Sequence, residues 1–114
     1  MRRIVFLLLV FIGFGMILSA KTTIFDRNCV SCHRRKGVSL RRTFMNALLI
    51  YSGEKNMKAG LKYFLRHPSK ETSVMGEEYF RTHRLKAPTT LTDSELDAAL
   101  DTYWQRYKVI GNLR

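Results

Sequence analysis

The two cysteines of this chain stand three residues apart and are followed at once by a histidine, in the run Cys29-Val30-Ser31-Cys32-His33. Positions i, i+3 and i+4 share one face of an α-helix, so the segment turns two sulfurs and an imidazole toward the same side. A fold built on it needs a helix there and a space beside that face. A bridge between Cys29 and Cys32 would close a very small loop and stabilise the chain little. Exported domains stapled by disulfides also carry more cysteines than a single close pair. The pair is therefore chemical rather than structural.

Three chemistries use this kind of spacing. C-x-x-C-H is the attachment signature of covalent haem, with two thioethers to the porphyrin edge and the imidazole beneath the iron. A thioredoxin-type dithiol also uses C-x-x-C, but inside a βαβ unit, and no strand pattern is found here. A structural zinc ion would need a fourth ligand, such as a distant histidine, beyond Cys29, Cys32 and His33. One covalently attached haem c is the expectation. Phe25, Leu40, Phe44, Leu61, Phe64 and Tyr103 are expected to pack around it, since a helical chain this short has only a modest core of its own.

The ends of the chain set its surroundings. Met1-Arg2-Arg3 precedes an uncharged run from Ile4 to Leu18, and Ser19-Ala20 closes it in small residues. This is the layout of a secretory signal peptide over residues 1–20, leaving a domain at 21–114. The rival reading is an uncleaved anchor over 4–18, although spanning a bilayer usually takes about 20 apolar residues. Either way the domain is exported, and a periplasmic location is expected. Without the first 20 residues, 94 remain, with 18 Lys and Arg against 9 Asp and Glu, a formal charge of +9. Such a surface attracts anionic partners, either an acidic protein or, if the N-terminal segment is retained, anionic lipid. Export argues against nucleic acid.

The remaining pattern is helical throughout. A first helix is expected from about Thr23 through the cysteine motif to near Gly37. A second covers Leu40 to Tyr51, with Phe44, Leu48 and Tyr51 on one face and Gly53 as its stop. A third begins with Asn56 as N-cap, repeats Met57, Leu61, Phe64 and Leu65 at helical spacing, and closes at Pro68. Between Ser69 and Thr90 the periodicity fails, apart from a short turn around Glu77 to Arg81. The last helix carries a capping box, Thr92 with Glu95, and a hydrophobic staple, Leu91 with Leu96. Leu96, Ala99, Leu100, Tyr103 and Tyr107 line its apolar face, and Gly111 is its expected stop. The fold class is all-α, a small helical domain preceded by a signal helix.

Over residues 23–107 the chain resembles the class I-like monohaem cytochromes c of bacteria. The resemblance rests on Phe25 four residues before Cys29, the attachment motif, Leu65-Arg66-His67-Pro68 ending the middle helix, Met75 in a loop, and the segment Thr92-Asp93-Ser94-Glu95 leading to Tyr103-Trp104. The chain departs from the family in three places: residues 34–42 hold no proline, Gly76 rather than proline follows Met75, and no glycine lies near Phe25. The resemblance implies a cytochrome c-like domain around one haem, with His33 as the proximal iron ligand and a sixth ligand downstream.

Met75 is the candidate for that sixth position, because it lies outside any helical stripe, 42 residues after His33, in a loop able to fold over the opposite haem face. His83, Met57 and His67 are rivals, and an open position is a further alternative. Met57 and Met45 fit core packing better. Met/His ligation raises the reduction potential and suits electron transfer, whereas an open or labile site suits peroxidase-like or gas-binding chemistry. No acid/base pair or distal catalytic set is recognisable, so an electron carrier rather than an enzyme is expected. Arg34, Arg35, Lys36, Arg41 and Arg42 directly follow the motif and would steer an acidic redox partner toward it.

Overall fold

The structure, a computed structural model, describes residues 22–111, with side chains for 22–108. The signal segment read at 1–20 lies outside the described residues. Among the described residues every regular element is helical and no strand occurs.

The first helix, α1, is π-helical over Asp26–Val30 and α-helical over Ser31–Lys36. Its start is a capping box that periodicity alone did not reveal. The Thr23 hydroxyl accepts from the Asp26 backbone N–H at 3.1 Å, and the Asp26 carboxylate accepts from the Thr23 N–H at 3.2 Å and hydroxyl at 2.8 Å. At the end of the wide turn the Ser31 N–H reaches back five residues to the Asp26 carbonyl. The Ser31 hydroxyl meanwhile donates to the Arg27 carbonyl. Single π-turns recur at functional sites, and this one contains Cys29.

Helix α2 spans Leu40–Ile50 and is capped by Ser39, whose side chain accepts from the Arg42 N–H at 3.1 Å. Helix α3 spans Gly53–Arg66 and so begins earlier than the expected Asn56. The reason is Gly53, whose φ of 80° turns the chain sharply out of α2 and straight into the next helix. Asn56 therefore sits inside α3, where its amide donates back to the Ser52 carbonyl at 2.9 Å. Gly60 leaves room for the Tyr51 ring, which a Cβ at that position would meet. Pro68 closes α3 as expected, after a last backbone bond from His67 to Tyr63 at 2.8 Å. One short helix, α4 at Glu77–Phe80, interrupts the long connection that follows.

Helix α5, Asp93–Gly111, packs across α2 and α3. Both halves of its capping box form, Thr92 N–H to Glu95 at 3.0 Å and Glu95 N–H to Thr92 at 3.2 Å. Leu96, Ala99, Leu100 and Tyr103 are buried together with Phe25, Phe44, Ala47, Met57 and Leu61. Phe44 is at the centre, fully enclosed, with Tyr103, Trp104 and Tyr107 at ring-centroid distances of 5.3, 5.7 and 5.7 Å. Each large apolar side chain buried in this way contributes about 1.5–3 kcal/mol, which makes the aromatic centre the main source of cohesion.

Ion pairs set register rather than cohesion. Lys58, Lys62 and Arg66 of α3 meet Asp101, Asp97 and Asp93 of α5 at 2.7, 2.8 and 2.8 Å, an antiparallel ladder. These pairs are solvent-exposed and salt-screened, so each adds little. At the other edge Arg106 grips both carboxylate oxygens of Asp26 and lies 5.2 Å over the Phe25 ring, which stacks on Tyr103. Helices α1 and α5 thus meet through aromatic and ionic side chains. No glycine is needed at this crossing.

Phe25, Phe44, Leu61 and Tyr103, the side chains expected near a haem, belong to the buried cluster shared with α5. Leu40 and Phe64 are only half-buried. Among the described residues the large apolar side chains left open to solvent are Leu49 at 79 %, Ile50 and Tyr63 at 58 % and Leu85 at 38 %.

Candidate functional site

Cys29, Cys32 and His33 lie along α1, all half-buried, with both thiols free. Cys29 stands in the π-helical turn, whereas Cys32 and His33 stand in the α-helical one. Their mutual angle is therefore set by a wide turn as well as by the regular helical period, which the i, i+3, i+4 spacing did not foretell. Cys29 and its neighbour Val30 pack against the core, which fixes the back of the segment.

The end of α1 is a Schellman cap. Gly37 takes the left-handed conformation at φ 67° and its N–H bonds to the Arg34 carbonyl at 3.3 Å, while the Val38 N–H bonds to the His33 carbonyl at 3.0 Å. The same turn brings the Val38 carbonyl to His33 Nδ1 at 3.1 Å. A neutral imidazole held so donates its Nδ1 proton to the carbonyl and leaves Nε2 as the electron-pair donor. Residues 34–42 contain no proline, and here the glycine cap does the orienting instead. Nothing in the spacing of the motif pointed to Val38. Gly37 was legible only as a helix stop.

Electrostatics around the motif are one-sided. Burial pushes the Cys29 thiol above its ordinary value, against the pull of the Lys86 ammonium. Burial likewise pushes His33 below its ordinary value; the bond to Val38 opposes this, and the charges of Lys86 and Lys36 reinforce it. His33 is thus held neutral, the form in which an imidazole ligates iron. Lys86 belongs to the connection after α4, which returns to the body where the Thr89 N–H bonds to the Leu65 carbonyl at 2.8 Å. That proximity to the motif was not visible in the sequence.

Met75 is half-buried and engaged. Its sulfur lies 3.5 Å from Asn46 Nδ2 and 3.9 Å from Thr43 Oγ1, both on α2. Its backbone N–H donates to the Ser73 hydroxyl at 3.1 Å, and Val74 beside it packs on the core. The rivals are placed differently. Met57 is 1 % exposed, a core side chain. His83 is exposed and stacked on Tyr79 at 4.1 Å, with Nδ1 beside the Tyr79 carbonyl and the Thr82 hydroxyl. His67 is exposed at the end of α3, against Tyr63. Val38 and Asn46, which hold His33 and Met75 respectively, lie at the entry and in the body of α2.

Beside His33 an open groove of about 360 Å³ runs between Val38, Leu40 and Tyr107, with Arg34 and Arg41 at its rim. Among the described residues no three His, Cys, Asp or Glu side chains converge as a metal held by side chains alone would require. The Cys29, Cys32, His33 set therefore does not find the distant fourth ligand that a structural zinc needs. It does fit a covalent haem, in having two free thiols and one oriented imidazole on a single helix. Comparison with protein-family models, with curated proteins and with solved structures finds no match.

Proposed function

We propose that this chain is an exported electron carrier of the class I-like monohaem cytochrome c kind, with one haem c linked through Cys29 and Cys32. His33 and Met75 would be the residues that hold its iron. The observation that carries the reading is the His33–Val38 bond, which leaves Nε2 of a neutral imidazole available beside two free thiols. When bound, the haem supplies a one-electron ferric/ferrous couple.

The chain's own residues do the rest. Val38 and the Gly37 cap orient the imidazole and keep its proton on Nδ1. A histidine and methionine pair favours a high potential over an open, reactive site. Lys86 and Lys36 place positive charge near the motif and disfavour the more positive ferric state.

Charge is segregated over the domain in a way that suits docking. No acid occurs between Asp26 and Glu54, and Arg34, Arg35, Lys36, Arg41 and Arg42 make no ion pair among the described residues. Asp93, Asp97 and Asp101 are engaged in the α3–α5 ladder, and Asp26 is held by Arg106. This leaves a positive corner beside His33 to steer an acidic redox protein. An anchor over residues 4–18, if retained, would keep the carrier at the membrane.

Three measurements on the exported protein test the reading. Haem that survives denaturing electrophoresis shows thioether linkage, and a weak far-red band in the oxidised spectrum shows methionine ligation. Protein that runs free of haem would return Cys29 and Cys32 to thiol chemistry. A strongly negative midpoint potential would remove Met75.

A further inference from the structure

We infer that the turn joining α2 to α3 is a membrane-docking tip, and that Leu49 and Ile50 enter the surface layer of an anionic bilayer. The two residues are consecutive, 79 % and 58 % exposed, and they end a helix whose preceding residue, Leu48, packs on the core. The chain leaves the helix at once. Tyr51 and Ser52 are extended, Gly53 at φ 80° starts α3, and residues 52–56 are all exposed. Leu49 and Ile50 therefore stand on a convex corner. The corner is also fixed, because the Tyr51 ring packs where Gly60 has no Cβ and the Asn56 amide donates to the Ser52 carbonyl. Two adjacent aliphatic side chains held out into water at such a turn add little to the core, and they gain by leaving water elsewhere.

Charge and size select the occupant. Glu54 is the only acid between Asp26 and Glu71, and Lys58 holds it at 2.6 Å. Arg42 lies two turns before Leu49 on the same face of α2, and Lys55 lies in the first turn of α3. Both are exposed and make no ion pair among the described residues. A second copy of the chain is repelled, since each exported domain carries a formal charge of +9 (18 Lys and Arg less 9 Asp and Glu). The groove beside His33 that could receive the pair has Arg34 and Arg41 at its rim. A protein partner would need to cover about 800 Å² on each side, far more than two side chains offer. A bilayer needs no matching surface. Basic side chains draw anionic headgroups, and protruding aliphatic ones then sink below them. Salt screens the first step and spares the second. Docking of this kind belongs to the helical domain and does not depend on the electron-carrier reading.

The test follows amide hydrogen exchange in the exported protein alone, with phosphatidylcholine vesicles, and with vesicles of phosphatidylcholine and phosphatidylglycerol in equal amounts. The first N–H groups of α3 have no helical partner and Ser52 gives them no side-chain cap, so the turn exchanges quickly in water. Phosphatidylglycerol vesicles slow exchange over residues 48–54 several-fold, and salt added afterwards leaves most of that protection. The Leu49→Ser, Ile50→Ser protein loses it, the Arg42→Glu, Lys55→Glu protein gains it only weakly, and Leu85→Ser, at an exposed apolar site elsewhere, keeps it. Should the double serine variant fail to fold, Leu49→Ser alone carries the comparison. Wild-type protein without protection overturns the tip and leaves the pair to a protein partner. Protection centred on residues 34–42 overturns it by marking attachment through charge alone. Protection that needs no lipid and grows with protein concentration overturns it by marking a second copy. A changed haem spectrum in the serine variants overturns it by showing that the pair covers the prosthetic group. Wild-type protein without covalent haem but with lipid-dependent protection at the turn overturns the electron-carrier reading alone.

Discussion

His33 Nδ1 lies 3.1 Å from the carbonyl oxygen of Val38, and the Val38 N–H lies 3.0 Å from the carbonyl of His33, so the two residues are bonded through both ring and backbone. The geometry depends on one left-handed residue between them. Gly37 at φ 67° is that residue. The orientation of the imidazole is thus a consequence of how α1 ends.

Replacing Gly37 should accordingly cost both stability and ligand geometry. A side chain in the left-handed region costs about 1–2 kcal/mol. Gly37→Val is expected to lower the unfolding free energy obtained from urea denaturation by an amount in that range, with Gly37→Asn milder because Asn tolerates the conformation. Movement of the Val38 carbonyl would also take away the bond that strengthens the imidazole as a donor, and would show in the holoprotein as a raised midpoint potential. A G37V protein as stable as wild type would refute the cap.

Phe44 is the residue on which the core turns. It is fully buried among three aromatic rings of α5. Phe44→Ala should cost about 3–5 kcal/mol. Small domains have about 5–15 kcal/mol in total, so thermal denaturation should find this variant barely folded, with Phe44→Leu clearly less affected.

Acid should loosen the α1–α5 contact. The Arg106 guanidinium, helped by the Thr23 hydroxyl and N–H, holds the Asp26 carboxyl well below the usual carboxylate range. A carboxyl depressed in the folded state stabilises fully above its unfolded value, about 3.9, and loses that contribution as pH falls toward the folded value. Urea midpoints should therefore decline from about pH 5 downward, and Asp26→Asn should flatten the decline. Asp93, lowered chiefly by its bond to Arg66, and Glu95, lowered chiefly by its Thr92 bonds, leave a residual slope in the same direction. An unchanged profile in D26N would show that the Arg106 pair is not kept in solution.

Electron exchange with an acidic protein partner should slow as salt is added, because attraction between exposed charges is screened. The doubly reversed variant Arg41→Glu, Arg42→Glu should slow encounter and flatten the salt dependence. Lys62→Glu, on the α3–α5 ladder, should change neither. Stopped-flow rates at several ionic strengths decide it; equal effects from the two variants would mean that net charge, not the corner beside His33, governs the encounter.

What the sequence determined by itself is whatever depends on near neighbours in the chain. The helix through Cys29–His33, the Thr92–Glu95 cap, the stop at Pro68, the short turn at Glu77–Phe80 and the apolar face of α5 were all legible, because each is decided within a turn or two of helix. Tertiary structure decided the rest. It made Val38 the partner of His33 through a left-handed glycine, and it brought Lys86 to the motif by the return of a long loop. It brought Asn46 to Met75 across 29 positions, and it showed that Phe25, Phe44 and Tyr103 close on one another. Such contacts arise from how helices cross and loops return, and residue spacing does not encode these.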